Sequence, residues 1–406
     1  MKFIVAHSDR QYCNHLLVAL AKRGWLVRFY TLFSANRLWG WPRFFPKKMR
    51  DALRKRAVDP EVTPHIRHFP ALFLAGRLFG KNLVWAIQNT YVWFDRRVAQ
   101  RLAKADFDAV VTYENANLHT HRAAKRLGKI TVLDLAQIHH DDIAQYGQWF
   151  MPPDVLQAEI AIINPRKSEA LAHTDYVLTL SSFAAESMLR HGWPAERLFT
   201  VRLGVDVQRF SAKPEYRQLG PLRLLFVGTL TRRKGLEVLF KALAQLPEAA
   251  FDLTLIGPVS DAGDLLREHA GRFRHLPFQH HEALADHYRQ ADVFVFPSLL
   301  DSWGQTVLEA MACGTPAIVT ENTGARDAVQ QGGGWVIPTN DVPALENAIR
   351  YCLNNRAVVE EKGKLAHQTA RQYTWENYQK NLLAIFDEIS RYQSHLGSPG
   401  FNLESL

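Results

Sequence analysis

The stretch Leu222–Gly235 reads LRLLFVGTLTRRKG, and the order of its residue types decides the fold. Leu222–Val227 is apolar at nearly every position, without the polar alternation of a half-exposed strand, as befits a strand covered on both faces. Gly228 then lets the backbone turn closely at the strand's end, and Gly235 stands where a helix starts. A buried strand that turns through glycine into a helix is the unit of a doubly wound parallel sheet. Such sheets bind ligands beyond the carboxyl ends of their strands.

The same alternation continues on both sides. Downstream, Phe251–Ile256, Val293–Phe296, Ala317–Val319 and Trp335–Ile337 read as strands, with helices after Gly235, Asp261, Glu282, Thr306 and Val342. Upstream, Lys2–Ala6, Trp25–Tyr30, Ala109–Thr112, Ile130–Leu133 and Tyr176–Leu180 read as strands, with helices at Asn14–Arg23, at His119–Leu127 and from Ser181. Arg202–Gly220 has neither period and is rich in turn formers, so it reads as a linker. At 406 residues, two α/β domains are expected, 1–200 and 201–374. A final helix at Trp375–Arg391 carries Trp375, Tyr378, Leu382, Ile385 and Ile389 on one face, and residues 392–406 form a polar tail.

Composition narrows the function classes. No run of about 18 apolar residues exists, which argues against a membrane span. The opening MKFIVAHSDR turns polar too soon for a signal peptide and reads as a first buried strand. Cys13, Cys313 and Cys352 are widely spaced and frame neither disulfides nor a zinc site, which fits a reducing cytoplasm. The net charge of +9 is concentrated between Arg37 and Arg56, where eight basic residues interleave with Trp39, Trp41, Phe44 and Phe45. Two readings stand. The segment is a peripheral anchor on the anionic inner face of the cytoplasmic membrane, or a solvated basic face with aromatics turned into the core. No nucleic-acid module is visible, so nucleic acid is not an expected partner.

Two stretches carry chemistry. In Phe226–Gly235, Arg232, Arg233 and Lys234 place cations beside a helix start, a combination that suits a diphosphate. The stretch is not a P-loop, because GxxxxGK[ST] is missing. In Phe296–Pro316, FPSLLDSWGQTVLEAMACGTP, a strand ends and Asp301 lies in the loop before a helix, with Glu309 about a turn inside it. Backbone N–H groups from Trp303 to Thr306 face out of that helix start, toward an anion. The two carboxylates suit hydroxyls of a sugar and a ribose.

The pattern PSLLDSWGQTVLEAMACGTPAIVTENTGARDAV resembles the donor-binding signature of family 4 glycosyltransferases. The resemblance extends through VGTLTRRKG, GVDVQRF, SSFAAESMLRHGWPAERLFTV and GGGWVIP, covering about Thr174 to Trp375, with aspartate at 301 in place of the more usual first glutamate. It implies a GT-B fold of two Rossmann-like domains facing across a cleft. It also implies a nucleotide-sugar donor as co-substrate, retention of anomeric configuration, and neither metal nor other cofactor. Carried over by residue, Glu309 binds ribose hydroxyls, while Asp301 with the backbone of Trp303, Gly304, Gln305 and Thr306 holds the sugar and diphosphate. Lys234, helped by Arg233, neutralises the departing diphosphate beside Gly228 and Thr229, Arg233 standing in for an arginine that many members have at the position of Thr229. The final helix has a counterpart that crosses back onto the first domain.

The first domain departs more from that family, with Ser8-Asp9-Arg10-Gln11 where a glycine-rich loop is usual. Its polar clusters Tyr113-Glu114-Asn115 and His139-His140-Asp141-Asp142 follow strands, and His139 is the candidate catalytic contact. A metal on the second cluster is disfavoured, because all its ligands come from one short loop. The expected activity is transfer of a sugar to a hydroxyl of a saccharide or lipid-linked acceptor in cell-surface polysaccharide or lipopolysaccharide synthesis. The alternatives are a nucleotide-sugar epimerase of the same fold and an inactive nucleotide-binding relative.

Overall fold

The computed structural model describes residues 1–8, 12–37, 56–73 and 87–396. The basic aromatic segment between Arg37 and Arg56, residues 9–11 of the Ser8–Gln11 stretch and the tail from 397 onward lie outside them. On either side of the gap between Arg37 and Arg56, Ala35 N donates to the Arg56 carbonyl at 3.1 Å.

Two parallel sheets form the molecule. The first contains β1 (Phe3–Ala6), β2 (Leu26–Thr31), β3 (Ile66–His68), β4 (Ala109–Tyr113), β5 (Ile130–Leu135), β6 (Tyr176–Thr179) and β7 (Leu198–Thr200), in the order β3-β2-β1-β4-β5-β6-β7. The second contains β8 (Leu222–Val227), β9 (Phe251–Ile256), β10 (Arg274–Leu276), β11 (Val293–Phe296), β12 (Ala317–Thr320) and β13 (Gly334–Ile337), in the order β10-β9-β8-β11-β12-β13. Each order reverses beside its first strand, the doubly wound pattern that opens a crevice at that point. The strands are short apolar runs because helices cover both faces. Ile4, Val110, Leu224 and Phe294 are all buried.

Residues 201–221 contain no helix or strand, yet they are pinned to the second domain. Lys213 Nζ donates to the Ala291 carbonyl and Tyr216 Oη to that of Gly314. The chain crosses between domains twice, side by side. Val205 N donates to the Tyr373 carbonyl at 2.8 Å, and a Cβ on Gly204 would lie 2.3 Å from Trp375 N. After this second crossing, helix Trp375–Leu396 lies on the first domain, against helix Cys13–Lys22. Its face buries Tyr378, Leu382, Phe386 and Ile389, with Phe386 4.5 Å from the ring of Phe3 and Trp375 stacked 3.5 Å from His15. Among the described residues, no helix is long and apolar enough to cross a membrane.

Candidate active site

The basic turn is folded onto the end of β11. Arg232–Lys234 form a single tight turn closed by Gly235 at φ 71°, where a Cβ would sit 1.8 Å from the Pro297 carbonyl oxygen. Only glycine fits there, and helix Leu236–Leu243 starts immediately after it. Leu299 N donates to the Arg233 carbonyl and the Arg233 guanidinium to that of Leu300, both at 2.9 Å. These bonds bring Lys234 against Asp301, and the two form a direct ion pair. Lys234 is buried, and its ammonium lies 4.6 Å from the centre of the Phe296 ring. Burial lowers the Lys234 pKa, with Asp301 opposing. Burial also pushes the Asp301 carboxyl upward, but Lys234 and Arg233 outweigh it and hold the group below the usual carboxylate range.

Helix Gln305–Ala312 follows. Gly304 precedes it at φ 87° and no side chain caps its start, the arrangement in which backbone amides serve an incoming anion. One expected contact, the Trp303 backbone amide, is otherwise engaged. The Trp303 N–H donates to Asp301 Oδ1 at 3.0 Å, and its indole is buried. The Gln305 side chain donates to the Gly204 carbonyl at 2.9 Å, tying the helix to the interdomain crossing. Thr306 is half-buried on the first turn, and Thr229 is exposed beyond β8. At Gly228 an added Cβ meets only the Phe226 ring at 3.6 Å, whereas one on Gly257 would lie 2.0 Å from the Gly228 carbonyl oxygen. The close approach is therefore enforced at Gly257, which the sequence reading did not single out.

Glu309 is buried one turn into the helix and accepts a 2.9 Å hydrogen bond from Tyr288 Oη. Burial raises its pKa to about 7, a shift the Tyr288 hydrogen bond partly offsets. Tyr288 was not legible as a site residue, because it comes from another helix, His281–Gln290, and reads as an ordinary core aromatic.

The first domain meets this site through hydrogen bonds at the start of helix Ser182–Arg190 and the end of β5. Ser181 Oγ donates to the Ser302 carbonyl at 2.8 Å, and Ser302 Oγ donates to that of Ala136 at the end of β5. Asp327 accepts from Ser182 N at 2.9 Å, from Ser182 Oγ, and from Arg202 Nε at 3.0 Å. His139 lies three residues beyond Ala136 and lines a small pocket together with Glu114 and Asn115. It precedes helix His140–Gly147, its Nδ1 accepts from Asp141 N at 3.3 Å, and its ring stacks 4.0 Å from that of His191. His191 closes helix Ser182–Arg190, whose opposite end is the Ser181 contact with the second domain. Burial lowers the His139 pKa to about 4. Glu114 and Asn115 stand at the end of β4, next to the reversal in strand order, with Glu114 Oε1 and Asn115 Oδ1 buried and unpartnered.

Comparison with known proteins bears on the second domain first. Residues 208–372 match the family described as glycosyl transferases group 1. The match spans most of the second domain.

The chain is similar to a D-inositol 3-phosphate glycosyltransferase of Paenarthrobacter aurescens, 30% identical over 212 residues (48% of this chain, 52% of that protein). An O-antigen chain mannosyltransferase B of Escherichia coli is 28% identical over 227 residues (52% and 59%). The chain thus spans about half the length of the curated relatives it matches. Over nearly the whole chain, the fold is that of sucrose-phosphate synthase from Thermosynechococcus elongatus (TM-score 0.71, 21% identity, 97% of this chain and 100% of that one). It is also that of HepE from Anabaena in complex with UDP (TM-score 0.66, 15% identity, 96% and 100%). These likenesses establish the GT-B architecture of two Rossmann-like domains.

Proposed function

We propose that this protein transfers a glycosyl group from a nucleotide-sugar donor, held by the second domain, to a hydroxyl of a saccharide or lipid-linked acceptor presented by the first. One observation carries the reading: Lys234, remote in sequence, pairs with Asp301 beside the β8 and β11 ends, at the uncapped start of the helix that carries buried Glu309. The family match over the second domain, the UDP bound by HepE and the O-antigen role named for the mannosyltransferase support it.

In this reading the donor diphosphate takes over the Lys234 ammonium. Asp301 is thereby released to accept from a donor-sugar hydroxyl, and Glu309 accepts from the ribose. As the glycosyl bond breaks, negative charge grows on the leaving phosphate oxygen. Lys234 and the amides of the Gln305–Ala312 start are already oriented toward it, which is where electrostatic catalysis is strongest. Arg233 lends its positive charge while its guanidinium stays on the Leu300 carbonyl. The Ser181–Ser302–Ala136 contacts close the domains over the site and exclude water, the competing acceptor. Transfer proceeds with retention and without a catalytic metal, as part of cell-surface polysaccharide or lipopolysaccharide synthesis. The Arg37–Arg56 segment attaches the protein to anionic membrane in the cytoplasm.

The test is turnover on a panel of UDP-, GDP-, ADP- and dTDP-sugars with cell-envelope saccharides as acceptors, read as nucleoside diphosphate release and glycoside formed. Lys234→Ala should lower kcat about 100-fold or more. Unchanged turnover in that variant would remove the assignment, and an epimerised donor in place of a glycoside would replace transfer with epimerisation. Flotation with anionic liposomes checks the membrane role: neutralising the basic residues of Arg37–Arg56 should abolish it.

A further inference from the structure

We infer that His139, His140, His191 and Asp141 form a binding site for one divalent transition-metal ion of the zinc type, on the first domain and apart from the donor residues. The loop His139–Asp142 alone offers ligands from one short stretch, a poor basis for a site. The fold changes this by bringing in His191 from the end of a different helix. The Asp141 carboxylate is the centre of the group. Its Oδ2 lies 3.7 Å from His139 Nδ1 and 3.8 Å from His191 Nδ1, and its Oδ1 lies 3.9 Å from His140 Nε2. Ligand atoms of His139, His140 and Asp141 lie within 4.8 Å of one another, and the His191 ring, stacked on His139, must turn out of that stack to bring its Nδ1 to a shared tetrahedral ion with bonds of about 2.0–2.2 Å. Imidazole nitrogen with one carboxylate selects Zn²⁺, Co²⁺ or Ni²⁺ over Mg²⁺ or Ca²⁺, which want oxygen.

The surroundings suit a ligand shell. The Nε2 of His191 is held by Asp142 Oδ1 at 2.8 Å, which leaves Nδ1 as the ligating atom, the carboxylate–histidine–metal arrangement of built sites. Asp142 is itself fixed by Ser187 Oγ and Arg190, each at 2.6 Å, so Arg190 is neutralised before an ion arrives. A cleft of about 370 Å³ lined by His139, His140, Asp141, Ser168, His191 and Trp193 gives access. Binding exchanges two contacts, the 3.3 Å bond from Asp141 N to His139 Nδ1 and the 2.6 Å contact of His140 Nε2 with Ser168 Oγ. The ion ties helix His140–Gly147 to the end of helix Ser182–Arg190. It is a structural clamp, not a participant in sugar transfer.

The test needs neither donor nor acceptor, so it stands or falls separately from the proposed activity. Titrating the full chain, without a histidine tag, with Zn²⁺ and with Co²⁺ as an optical probe should give one ion per chain. Tetrahedral Co²⁺ bands and a raised Tm should accompany binding, unaffected by excess Mg²⁺ or Ca²⁺. His191→Gln and Asp141→Asn remove ligands that are partly exposed, so both variants should fold, with circular dichroism as the check. Each should lose the Co²⁺ bands, and Asp142→Asn should weaken Zn²⁺ by about 10–100-fold. Binding that is equal in wild type, His191→Gln and Asp141→Asn, or no one-to-one binding by wild type, would overturn the site.

Discussion

Glu309 shows how a single residue ties burial to binding. Its pKa is raised to about 7, so the folded protein holds this proton where the unfolded chain has released it. The sign follows: between the ordinary carboxyl range and about 7, stability falls as pH rises, while the carboxylate that accepts from ribose becomes populated. Nucleoside diphosphate affinity should therefore strengthen as pH rises through about 7. Phosphate ionises near 6 and contributes its own dependence, so the comparison is with Glu309→Gln, which should retain the phosphate part and lose the rest. Calorimetric titrations at several pH values would decide it, and superimposable profiles would count against the assignment. Gly235 offers a stability test at the same scale. Its left-handed backbone and the 1.8 Å approach to the Pro297 oxygen predict that Gly235→Ala costs about 2 kcal/mol or more in urea unfolding, with Lys234 displaced as a consequence. Glu309 and Lys234 stood out in sequence as candidates because each sits at a fixed offset from a strand-to-helix turn. Tyr288 and Asp327 could not, since their partners lie on other elements.

Among elements, what was legible followed burial. The ten longer strands were visible as apolar runs, and their boundaries in the structure agree within a few residues. The three that escaped, β3, β7 and β10, are three residues long and lie at sheet edges. There only one neighbour pairs with the strand, so residues such as His68 and Arg274 are tolerated and no apolar signature develops. Residues 136–138 reach the second domain, Ala136 through Ser302 and Ile138 through Leu300, and His139 follows them in a pocket shared with Glu114 and Asn115. At this scale the contact of helix start with helix start across the domains is testable. Asp327 serves the Ser182 backbone, the Ser182 hydroxyl and Arg202, so Asp327→Ala leaves donors without their acceptor. It should cost about 1–3 kcal/mol and raise the donor KM more than it lowers kcat. An unchanged KM would show that this contact does not set domain closure.

For the whole molecule, two doubly wound sheets and a return helix make one object out of two domains. The second domain was readable because its motifs are local. The first was readable only as an architecture, since the residues that would present an acceptor depend on how the strand ends are arranged. The return helix was a matter of two possibilities in sequence, its apolar face fitting either domain; its burial of Tyr378 and Phe386 lies on the first. Phe386→Ala should accordingly cost about 3–5 kcal/mol and destabilise the first domain, although residue 386 follows the second in sequence. The central claim is that the second domain cradles a nucleoside diphosphate between Lys234 and Glu309. Isothermal titration of UDP, GDP, ADP and dTDP into the full chain, wild type against Lys234→Ala and Glu309→Ala, tests it most directly. At least one nucleotide should bind the wild type, with affinity lost by tenfold or more in each variant; no binding by the wild type, or equal affinity in all three, would contradict the account.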